Sequence, residues 1–151
     1  PEDYDWCFRC YAEQFEVHCI GKVTLQWREH PDRTSRNSEH YQQAAFFKLK
    51  LKRFLELESF EELVLWGSGR KARISAAYFL SQAQPFRWMD LDPSRFPSGI
   101  LGVAIEDYRL LQNRSGLKVL IGVYPNPSER QDLETFLSSR QLQIGQDYWY
   151  L

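Results

Sequence analysis

No apolar run in this sequence approaches the roughly 18–20 residues that a membrane-spanning helix requires, so it offers no transmembrane segment. A basic excess is missing too. The formal net charge is −1, which argues against a dedicated nucleic-acid binder, because such proteins carry a strong positive surplus. Cysteine is scarce, and the odd count of three does not suggest a disulfide framework. It fits a reducing compartment, here the cytoplasm. The first residues are acidic and aromatic rather than basic and apolar, so no signal peptide is expected at this end. No internal repeat or low-complexity stretch appears. The chain opens on Pro1 without a Met, as a piece of a longer protein would.

What is present suits a soluble core. The hydrophobic fraction is 43%, and aromatics reach 15%, a richness that serves either cores or surfaces gripping sugars and partners. Phe8, Tyr11, Ala12 and Phe15 recur at helical spacing and predict a helix over 2–15. Val17 to Trp27 reads as a strand broken at Gly21, and 29–38 as a polar segment of turn formers. A second helix is expected over 38–58, capped by Ser38, with Lys48, Lys50, Lys52 and Arg53 on its outer faces. That basic face is a solvated surface, or it touches a membrane surface or an anionic glycan.

The character changes near 58–62. Strands are expected at 63–66, 86–91, 102–105, 117–123 and 148–151, with helices at 72–83 and 128–141. Alternating strands and helices with short apolar strands imply a parallel sheet covered by helices.

Two stretches carry chemistry. The first is Glu2-Asp3-Tyr4-Asp5-Trp6-Cys7-Phe8-Arg9, followed downstream by Trp27-Arg28-Glu29-His30-Pro31-Asp32-Arg33-Thr34-Ser35. Taken alone, acidic residues at a helix start suit the helix dipole. The two blocks in this order resemble the end of the catalytic domain of family-2 glycosyltransferases, which have the GT-A fold and usually invert the anomeric centre. The resemblance covers residues 2–36. It implies that Asp3 is the base that takes the acceptor hydroxyl proton, with Glu2 beside it. It assigns Arg28 to the donor diphosphate and His30 to a bridging Mg²⁺ or Mn²⁺. The alternative for His30 is a loop histidine before a proline. The donor would be a nucleotide-sugar and the acceptor a glycan or lipid-linked hydroxyl, in bacterial polysaccharide synthesis at the inner face of the membrane. Asp90 and Asp92 are not the metal-holding Asp-x-Asp of that family, because they follow the Glu-Asp pair rather than precede it. A chain lacking the donor-binding half is expected to be inactive alone and to expose apolar surface over 1–36.

The second stretch is Gly67-Ser68-Gly69-Arg70-Lys71-Ala72, between a strand and a helix. Such a turn either serves the fold alone, docks a partner, or cradles a phosphate at the helix start. Asp90 and Asp92 follow about 20 residues on, where an acidic side chain meets a ribose. The stretch resembles small Rossmann-like domains appended to bacterial glycosyltransferases, and related domains in sugar-modifying acyltransferases. Tyr108 and Tyr124 fall after strands and are further pocket candidates. Cys7, Cys10, His18 and Cys19 invite zinc, but adjacent strand positions face opposite ways, so they do not converge.

The expected architecture is therefore α/β. It comprises a helix-strand-helix tail of a GT-A domain (1–36), a helical connector (37–60) and a small Rossmann-like parallel sheet with flanking helices (61–151). The rival reading is a non-catalytic binding or docking module for a nucleotide, sugar or protein. A reductase-like enzyme ranks third, and a homodimer stays open.

Overall fold

The computed structural model describes residues 2–26, 43–123 and 125–151. The chain divides into two compact units, Pro1–Leu57 and Glu58–Leu151.

In the first unit, α1 (Glu2–Ala12) and α2 (Gln43–Leu57) pack together. Tyr4 meets Phe46 edge-on, with ring centroids 5.1 Å apart. Asp5 accepts hydrogen bonds from the Arg53 guanidinium, at 3.0 Å from Nε. That contact holds the Asp5 carboxyl below its usual range. Arg53 also reaches Glu56 at 2.9 Å, so it is withdrawn from the basic face that the sequence suggests. Helix α1 stops at Ala12, three residues short of the expected end, and Gln14 takes a positive φ of 57°. The expected apolar stripe is not buried as a set, since Tyr11 and Phe15 are 58% and 67% exposed. The expected start of α2 at Ser38 lies outside the described residues.

The strand expected over 17–27 does not form in its described part. Residues 15–26 carry no regular structure, and Val17, Ile20, Val23 and Leu25 are exposed. The alternation of apolar residues is real, but a strand also needs a neighbour for its N–H and C=O groups. Among the described residues, no strand pairs with this segment.

The second unit is an α/β sandwich around a five-stranded parallel sheet, consistent with a small Rossmann-like fold. Its strands are β1 (Glu62–Trp66), β2 (Arg87–Asp90), β3 (Ile105–Asp107), β4 (Leu117–Ile121) and β5 (Tyr148–Tyr150). Helices α3 (Arg70–Ser81) and α4 (Pro127–Ser139) follow β1 and β4. The sheet order is β3-β2-β1-β4-β5. Every pairing is parallel, as with Leu65 opposite Trp88 and Leu120.

The short apolar runs form strands because a parallel sheet buries both faces. Val64, Trp66, Val119 and Ile121 join Leu133 and Leu137 of α4 in one core. Leu65, Trp88 and Leu120 alternate to the other face. There Phe79 of α3 meets Phe86, which meets Trp88, at 5.3 and 6.0 Å between centroids. The expected strand over 102–105 moves to Ile105–Asp107, because Leu101 and Gly102 take positive φ and make a turn closed by Ile100 and Val103. At the start of β2, Arg87 lies between Glu106 and Glu62. Its acidity is suppressed first by hydrogen bonding to Glu106. This triad ties three neighbouring strands, and its one guanidinium is shared between two carboxylates.

Candidate functional site

The chain leaves β1 for β2 and β3 on one side, then crosses back to β4 and β5 on the other. Where the direction reverses, the loops after β1 and β4 part and leave a crevice at the strands' carboxyl ends. A cleft of about 670 Å³ opens there, within the range of small-molecule sites.

Gly67, Ser68 and Gly69 form one lip. Gly67 has φ +102°, and a Cβ there would meet Val123 Cγ1 at 2.3 Å. The turn is pinned on both sides. Gly67 N–H donates to Met89 O at 2.7 Å, and Trp88 Nε1–H donates to Gly67 O at 2.6 Å. Trp88 is fully buried, so this indole fixes the glycine turn from beneath. Trp88→Phe keeps an aromatic ring but deletes the donor and part of the buried volume, leaving a buried carbonyl unpaired. We expect a loss of about 1–3 kcal/mol in chemical denaturation. An unchanged midpoint would mean that the carbonyl finds another donor.

Gly69 is the N-cap of α3, and no side chain caps that helix. The contrast with α4 is sharp. There the Asn126 side chain accepts the Glu129 N–H, and Glu129 accepts the Asn126 N–H, at 3.0 Å each. Helix α4 closes its own start, while α3 leaves first-turn N–H groups without a side-chain cap. Arg73 joins this end, with its Nε donating to Ser68 O at 3.0 Å.

Asp90 ends β2 and is 8% exposed. Its Oδ1 accepts the Asp92 N–H at 3.0 Å. Among the described residues, none bonds its other oxygen and no cation pairs with it. Asp92 lines the cleft too and takes the Ser94 hydroxyl. An aromatic triangle forms the floor. Trp66, Tyr108 and Phe136 stand with centroids 5.0–5.6 Å apart.

No family model matches this chain, and neither does any curated protein or solved structure at a meaningful level. The site therefore rests on its own geometry.

Of the residues singled out in the sequence, Gly67, Ser68, Gly69, Asp90 and Asp92 come together around the cleft. Arg70 does not line it, and Arg73, one turn later, does. Tyr108 lines it, whereas Tyr124 lies outside the described residues. Arg28 and His30 also lie outside them. Glu2 opens α1, and Asp3 sits exposed in its first turn, with no described residue pairing with it. Among the described residues, no group of three or more His, Cys, Asp or Glu converges as a metal site. Cys7 and Cys19 are exposed and Cys10 is buried, while His18 is paired with Glu16 at 3.1 Å. No helix among the described residues is long and apolar enough to cross a membrane.

Sequence reading missed Trp88, Phe136 and Arg73. Arg73 was within reach, because it lies one helical turn beyond the glycines. Trp88 and Phe136 carry no local signal, since only the fold brings them to the turn and the floor.

Proposed function

We propose that this chain is the C-terminal part of an inverting family-2 glycosyltransferase, moving a sugar from a nucleotide-sugar donor to a hydroxyl acceptor. The observation that carries this reading is the contrast within the opening motif. Asp5 is locked by Arg53, whereas Asp3 is exposed and no described residue pairs with it. A general base must be free to reach a hydroxyl, and Asp3 is. In the step assigned to it, Asp3 takes the acceptor proton as the acceptor oxygen attacks the anomeric carbon. The bond to the nucleoside diphosphate breaks, and the diphosphate leaves with the electron pair.

The resemblance implies Mg²⁺ or Mn²⁺ at that diphosphate. Arg28 and His30, which the resemblance assigns to the diphosphate and the ion, lie outside the described residues, so the step assigned to a described residue is proton removal. The reading is tested by assaying the full-length product of the gene encoding this sequence with a panel of nucleotide-sugars and glycan or lipid-linked acceptors. Release of nucleoside diphosphate coupled to a glycosylated product supports it. Hydrolysis or transfer with no donor on the panel overturns it.

The second reading, a non-catalytic binding module, is favoured by the cleft of the α/β unit. The two readings are compatible, because they use different residues in different units.

A further inference from the structure

We infer that the cleft of the α/β unit is a binding site for a phosphorylated, hydroxyl-rich ring, a mononucleotide or a sugar phosphate, and that it rejects dinucleotides. This site stands independently of the transferase reading.

The phosphate end is the start of α3. Its first turn lacks a side-chain cap, and aligned N–H groups with the helix dipole favour an anion. The glycines there differ in what the fold demands. Gly67 is required by its positive φ and by Val123. Gly69 has φ −72°, and a Cβ there would meet nothing closer than Gly122 O at 3.8 Å. A Ser or Asp at Gly69 would fit and would cap the helix. The fold does not explain its bare backbone, whereas a phosphate seated on the N–H groups does. Arg73 adds a cation from the same turn.

The hydroxyl end is Asp90. A carboxylate buried without a cation is costly unless hydrogen-bond donors reach it. Asp90 has one donor, the Asp92 N–H. It lines the cleft, and no described residue bonds its other oxygen. Vicinal hydroxyls of a furanose or pyranose supply further donors, and Tyr108 and Phe136 line the apolar side of the same cleft.

The restriction to one phosphate-bearing end comes from α4. Glu129 and Asp132 line the other half of the cleft, and the α4 start is closed by its own capping box. That half presents the Glu129 and Asp132 carboxylates, so a second phosphorylated moiety is repelled there.

The test is calorimetric titration of the chain with UMP, UDP, ADP, glucose 1-phosphate, NAD⁺ and NADP⁺. Binding of a mononucleotide or of the hexose phosphate, with the dinucleotides at least tenfold weaker, is the expected result. The nucleotide and hexose arms separate the two sources of the shared chemistry. Two variants locate the site. Asp90→Asn keeps the acceptor for Asp92 and weakens binding at least tenfold. Gly69→Asp caps α3 with its own carboxylate, so it retains or raises thermal stability while abolishing binding. Asp3→Asn leaves binding unchanged, whatever happens to transfer. Failure of every probe at millimolar concentration overturns the inference, as does equal binding of NAD⁺ or unaltered binding in both site variants.

Discussion

Replacing Asp3 by Asn in the full-length gene product is expected to lower sugar transfer about 10²–10⁴-fold, the range a positioned general base contributes. Unfolding should barely move. Asp3 is exposed in the first turn of α1 and pairs with no described residue, and surface changes of this kind usually lie within about 0.5 kcal/mol. The loss should fall on kcat, because Asn keeps the shape and loses only the proton acceptor. Asp5→Asn provides the internal contrast. It removes the partner of Arg53 and acts on the packing of α1 against α2 rather than on proton transfer. If Asp3→Asn retained full turnover, Asp3 would be an ordinary helix-start carboxylate, and the transferase reading would lose its base.

The second large effect lies in the α/β unit, at Gly122 just beyond β4. A Cβ at this position would stand 2.8 Å from Ala72 Cβ, 2.9 Å from its Cα and 3.0 Å from its N. These are backbone and near-backbone atoms of the first turn of α3, so they cannot swing away. Gly122→Ala therefore wedges α3 off the sheet. Overpacking of this kind costs about 1–3 kcal/mol, and in a unit of this size each kcal/mol lowers Tm by roughly 4–8 °C. Gly69→Ala, with only a 3.8 Å contact, is the control and should melt near the wild type. Equal melting of the two variants would show that helix and sheet have slack at this junction.

The two units differ in how far the sequence discloses them. The α/β half was legible because a buried parallel strand is a continuous apolar run, as in Leu63–Trp66, and because glycines mark the following turn. The third strand was placed a few residues early. Nothing in the side chains of Gly102–Ile105 announces that Leu101 and Gly102 adopt positive φ. In the first unit, the alternation over 17–25 was a true pattern without a true strand, because pairing is supplied by a partner rather than by propensity. The cleft was legible at its lip and at Asp90, since these are local motifs. Its floor was not, because Trp66, Tyr108 and Phe136 meet only when β1, the turn after β3 and α4 converge.

The position of β1 also bears on how the unit assembles. It is the first strand in chain order and the middle strand of the sheet. Its pairing with β2 is a local crossover through α3, whereas its pairing with β4 joins Glu62 to Leu117 across all of α3, β2 and β3. Loop-closure entropy makes the second pairing the slower event. Until β4 arrives, β1 is an apolar edge strand with one row of N–H and C=O groups unmatched, the kind of edge that recruits other chains. Yield on refolding should thus depend on protein concentration, even though the finished sheet buries β1 from Leu63 to Trp66.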